Sequence, residues 1–117
     1  MRSVFLVAAG ICGAAGVAAA AAAAHADASN LSATSTMFLA HAPALLAIGL
    51  TANGSRRPVD YAGLVMLLGV FIFSADLLAR QYLAVRLFPM AAPTGGLLMI
   101  AGWLGVAVSA LLSSRTR

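Results

Sequence analysis

The 117-residue sequence contains no lysine and no glutamate. Its charge comes from seven arginines and three aspartates, 9% of the chain, with a net charge of +4. So few charged groups cannot cover the surface of a soluble domain of this size. One cysteine, Cys12, excludes an internal disulfide and any paired CxxC chemistry. The residues before it, Ala9-Gly10-Ile11, fit a lipoprotein cleavage box poorly. Pro93-Thr94-Gly95-Gly96 lacks the lysine and glycine spacing of a phosphate loop. No segment alternates polar and apolar residues with period two, which excludes a membrane β-barrel pattern, and no long repeat is present. With 62% hydrophobic residues and a mean hydropathy of +1.00, the chain reads as an integral membrane protein.

A pI near 10.7 would point to nucleic acid in a soluble chain. Here the arginines stand at the edges of apolar runs, where membrane orientation accounts for them, and no nucleic-acid partner is expected. A transmembrane helix needs roughly 17–25 apolar residues. Four runs qualify, at about 3–24, 35–52, 61–79 and 94–112. The expected fold is therefore all-α, a single membrane domain over 1–117 forming a four-helix bundle. Between the second and third runs, Asn53-Gly54 stops one helix and Pro58 can begin the next. With four spans, Arg2, Arg56, Arg57, Arg115 and Arg117 fall on one side and only Arg80 and Arg86 on the other. The positive-inside rule then places both termini in the cytoplasm, and the connectors holding His25, Asp27, Arg80 and Arg86 outside.

The first run ends in seven alanines, Ala18 to Ala24, followed by His25 and Asp27. Arg2 forms a basic n-region, and Ala24-His25-Ala26 and Ala26-Asp27-Ala28 are small-x-small cleavage sites, so a signal peptide is one reading. The run is longer than the usual 7–15 residues of an h-region. Gly10, Gly13 and Gly16 also set small residues on one helix face, where a neighbouring helix can approach closely. These two features favour a retained helix.

Several ordered segments carry a resemblance to a known family. They are GAAGVAAAAAAAH at 13–25, HAPALLAIGL at 41–50, and LGVFIFSADLLARQYLAVRLFPMAAPTGGLLMIAGW at 68–103. Together they resemble the YgdD-like family of small four-helix inner-membrane proteins, a family of unknown function. The resemblance implies that the first helix is kept and that His25 marks its outer end. It also implies location in the bacterial inner membrane as a multi-pass protein. Two departures stand out against the family pattern. Asp76 occupies a position that usually holds a small or hydroxyl residue, and TSTMFLA at 34–40 lacks the usual glutamine. The resemblance supplies no catalytic role.

With that topology, His25, His41, Ser74, Asp76, Arg80 and Thr94 converge on the outer side as a candidate polar pocket. Ionisable groups within a span are costly and usually face the bundle interior, which makes them functional candidates by default. Each also has a structural reading. Asp76 and Arg80 form a favourable i,i+4 pair. His25 can be an interfacial residue and His41 a hydrogen-bonded structural one. Pro43 removes a backbone donor and frees the Leu39 carbonyl, which predicts a kink satisfied by neighbours. Trp103 falls near mid-span as a packing residue. Gly95 and Gly96 are expected to pack against the glycines of the first helix. His25 and His41 on adjacent helices raise bis-histidine haem ligation, and Asp76 as a third ligand raises a metal site. Two histidines make an incomplete set without a CxxCH motif, so no cofactor is expected.

No nucleophile–base pair stands at suitable spacing, and the loops are tiny. The leading expectation is a non-enzymatic accessory, scaffold or assembly component in the lipid bilayer, beside a larger membrane complex or as a homo-oligomer. The alternative is a subunit of an oligomeric small transporter or channel. Small multidrug pumps use that format with a carboxylate deep in the first helix, which is absent here. A quinone- or lipid-modifying enzyme using His41 and Asp76 as acid–base groups is a third reading.

Overall fold

The structure is a computed structural model that describes residues 1–25 and 29–115. It contains four helices, α1 (Arg2–Ala24), α2 (Ser29–Leu50), α3 (Pro58–Leu83) and α4 (Ala91–Arg115), with no strand among the described residues. Each helix is long and apolar enough to cross a membrane, and the chain is a multi-pass membrane bundle. Asp27 and Arg117, which entered the charge reading, lie outside the described residues.

Local chemistry sets the helix ends. Gly54 takes a positive φ of 89°, a backbone state open to glycine that helps turn the chain after α2. Pro58 opens α3, where its missing N–H costs nothing. Ala84 closes α3 in the left-handed conformation. α2 begins at Ser29, ahead of the expected 35, because its first turns are polar. Hydropathy marks the hydrocarbon layer, whereas the hydrogen-bond ladder runs on through Ser29, Asn30 and Ser32. For the same reason α3 reaches Leu83, through Arg80 and Gln81, and α4 starts at Ala91, ahead of the expected 94. α2 remains one continuous helix through Pro43.

The bundle consists of two hairpins. α1 packs on α2, α3 packs on α4, and α2 packs on α3. Short connectors impose this order, because helices joined by a few residues become antiparallel neighbours. Small residues form both seams. Gly13 faces Ala42, Gly16 faces Leu39, and the Ser35 hydroxyl donates to the Gly16 carbonyl at 2.8 Å. In the second hairpin Gly69 and Gly95 meet backbone to backbone, and Gly102 lies against Met66. The expected pairing of Gly95 and Gly96 with α1 is thus corrected. Gly95 packs on α3, and a Cβ on Gly96 would meet nothing within 4 Å.

The core lies where α1, α2 and α3 meet. Phe5 is fully buried and its ring fills the space left by Gly63 on α3. α1 contributes Phe5, Ala8, Ala9 and Cys12 to the core cluster, with Phe38, Leu45 and Ile48 from α2.

Candidate functional site

Two polar arrangements occupy the half of the bundle that contains the α3–α4 connector, and a third closes the opposite end. The first is built on α3. Asp76 is fully buried, although it sits in an apolar helix. Its Oδ1 accepts a 2.8 Å hydrogen bond from the Leu87 backbone N–H, and its Oδ2 lies 2.6 Å from Arg80 Nη2. The backbone N–H of Ala92, in the first turn of α4, lies against the same carboxylate. One side chain therefore fastens the connector and the positive N-terminus of α4 to α3, where a carboxylate is favoured. The Leu87 backbone donor, which would otherwise be stranded at a helix junction, is satisfied.

The second arrangement lies deeper. His41 is buried, and its Nε2 accepts a 3.2 Å hydrogen bond from Trp103 Nε1. The indole nitrogen is only a donor, so Nε2 is unprotonated and the ring proton sits on Nδ1. Nδ1 then donates to the Met37 carbonyl at 2.7 Å. The imidazole is held as one neutral tautomer with both nitrogens engaged. His41 stands twelve residues past the start of α2, and Trp103 stands twelve past the start of α4. Both helices enter from the same end, so the two residues meet at one depth, about 18 Å along each axis.

The six residues expected to share an outer pocket are divided by the structure. Asp76 and Arg80 are paired. His41 lies twelve residues into α2, and its partners are Met37 and Trp103, not the other five residues. His25 is exposed at the C-terminal end of α1, with its N–H on the Ala22 carbonyl. Thr94 is exposed in the first turn of α4, on the surface of the helix rather than in a pocket. Ser74 is fully buried, and its hydroxyl has no hydrogen-bond partner among the described residues. Nor do three His, Cys, Asp or Glu side chains come together in a metal-sized group there. A metal or haem on His41 Nε2 would first have to displace Trp103.

The third arrangement has a sequence signal that hydropathy passes over. Arg57 donates to the Ile48 and Thr51 carbonyls at 3.1 and 2.8 Å, capping the end of α2. It also pairs with the buried Asp60 at 2.7 Å. Asp60 in turn accepts the Arg57 backbone N–H at 2.8 Å, a capping box across the start of α3. Arg57-Pro58-Val59-Asp60 carries that spacing openly. The role of Trp103 as the partner of His41 had no such signal, since the two are far apart in sequence.

Two open depressions adjoin along α4, an outer one between α3, the connector and α4, and an inner one between α2 and α4. The outer one, about 530 Å³, is lined by Arg80, Arg86, Met90 and Pro93. The inner one, about 430 Å³, is lined by Met37, His41, Met99, Ile100 and Trp103. Phe73 and Gly96 line both.

The chain can now be set beside known proteins. A UPF0382 membrane protein of Staphylococcus haemolyticus is 36% identical over 69 residues, which is 59% of this chain and 57% of that relative, a little over half its length. A UPF0382 membrane protein of Staphylococcus epidermidis is 28% identical over 111 residues, 95% of this chain and 89% of the relative. One of Staphylococcus saprophyticus is 27% identical over 104 residues, covering 89% and 85%. No solved structure matches. The sequence profile described as "Protein of unknown function (DUF423)" matches residues 10–96, from the first glycine of α1 to the floor of the depressions in α4. By that match, which takes in most of the chain, this four-helix membrane protein belongs to the DUF423 family.

Proposed function

We propose that the protein is an accessory or assembly component of the bacterial inner membrane, acting through contact with other membrane helices. The observation that carries this reading is the outer face of α1. Gly10, Ala14, Ala18 and Ala21 are exposed at helical spacing, and a Cβ on Gly10 would meet nothing within 4 Å. Small residues at this spacing let a second helix approach closely in lipid. The polar groups support the same reading. The two described aspartates are each held by an arginine, and His41 is held by two partners. The transporter alternative needs a titratable group free to exchange protons, and nothing in these networks favours it. The segments that resemble the YgdD-like inner-membrane family support the choice of membrane.

A photo-crosslinking residue at Ala14 is expected to give a discrete protein adduct in native membranes, either a second copy or a partner. Gly10→Leu should abolish it. Lipid adducts alone would remove the basis of the reading. The arginine distribution supports cytoplasmic termini. A C-terminal reporter fusion is therefore expected to read as cytoplasmic, and a periplasmic signal would reverse the orientation.

A further inference from the structure

We propose that the two depressions along α4, which meet at Phe73 and Gly96, form one groove that binds an anionic phospholipid, with the phosphate at Arg86 and Arg80 and one acyl chain running inward to Trp103. The depressions exist because α4 packs mainly along α3 and touches α2 more lightly, with Trp103 hydrogen-bonded to His41 and Met99 reaching the core cluster. Gly96 leaves the floor of the groove open, since a Cβ there would meet nothing within 4 Å.

The charge at its mouth selects the ligand. Arg80 is neutralised by Asp76, and its Nε carries no hydrogen bond among the described residues. Arg86 is exposed and takes part in no ion pair among them. Among the described residues the mouth therefore keeps one uncompensated positive charge beside a second guanidinium. Guanidinium groups bind phosphate oxygens in paired hydrogen bonds. The interior is apolar and includes Met37, Met99 and Ile100. It ends at Trp103, about 18 Å into α4. That length is close to the roughly 15 Å of one hydrocarbon leaflet. A phosphate at one end and a leaflet-length apolar channel behind it describe a phospholipid rather than a free phosphate.

Trp103 is the only tryptophan, so its fluorescence reports on the inner end of the groove without labelling. The protein is reconstituted in phosphatidylcholine containing a minor fraction of phosphatidylglycerol with brominated acyl chains, which quench indole on contact. Quenching is expected to match a local concentration about fivefold above the mole fraction of the brominated lipid, the preference conferred by one uncompensated arginine. Brominated phosphatidylcholine at the same fraction should quench only in proportion. Arg86→Gln changes an exposed side chain that has no ion-pair partner among the described residues, leaves the fold intact, and should remove the excess. Equal quenching by the two lipids would overturn the site. So would an excess that survives Arg86→Gln. Protection of Trp103 from both lipids would also overturn it, and would place a second helix in the groove instead.

Discussion

Replacing Gly95 with alanine is expected to separate α3 from α4 and unfold the second hairpin. An added Cβ would lie 2.6 Å from the Phe73 backbone nitrogen and 2.8 Å from the Gly69 carbonyl oxygen. Real Cβ contacts do not reach these distances, and neither neighbour is a side chain that can turn away. Gly69→Ala meets the same obstacle from the other side, with the Gly95 carbonyl oxygen and the Met99 nitrogen each at 2.7 Å. Relief requires the two helices to move apart along the whole seam, which also loosens Gly102 from Met66. Overpacking that shifts backbone costs about 1–3 kcal/mol and occasionally more, and two backbone contacts at once place this substitution at the upper end. Gly10→Ala and Gly96→Ala provide the contrast, because both new methyl groups would stand in open space. Thermal unfolding in mild detergent should rank the four variants, with Gly69→Ala and Gly95→Ala strongly destabilised and the other two near the parent. A stable Gly95→Ala protein would mean that α3 and α4 are not in backbone contact.

The sequence showed that small-residue faces would meet other helices, but not which ones. Spacing such as Gly10, Gly13 and Gly16 reports that a face is flat enough for close approach. It carries no label for the partner. The partners follow from connector length, because residues 84–90 are too few to let α4 swing away from α3. The spans themselves were legible because a hydrocarbon layer demands long apolar runs, and every helix contains one. Their ends were not, because the polar turns of α2 are helical without being hydrophobic. The expected outer pocket fails for another reason, because His41 is engaged by Met37 and Trp103 and not by the other pocket residues. The pairing of Asp76 with Arg80 was readable from i,i+4 spacing. The backbone donor of Leu87 was not, since a main-chain N–H leaves no mark in a sequence. Trp103 and His41 show the same limit for side chains, as their contact depends on two helix starts being known together.

The two charged clamps share a design. Arg57–Asp60 joins the end of α2 to the start of α3, and Asp76 joins the end of α3 to the start of α4. In each, a buried carboxylate collects backbone donors at a helix junction, while its arginine keeps partial contact with the interface. Asp76→Ala leaves the Leu87 N–H without an acceptor and Arg80 without a counter-charge. A stranded buried donor costs about 1–3 kcal/mol. Arg80 keeps about a third of its side chain exposed and can turn outward, which limits the added penalty. The expected loss is therefore about 2–3 kcal/mol, with the damage concentrated in the connector and the first turn of α4. Asp76→Asn retains an acceptor for Leu87 and loses the charge, so it should fall between the parent and alanine. Hydrogen exchange locates the effect. The amides of Leu87 and Ala92 should lose protection in both variants, more so in alanine, while the α1–α2 hairpin keeps its own. If both variants match the parent in stability and in exchange at Leu87, the carboxylate does not hold the junction, and its burial has to be explained by a proton-transfer role instead.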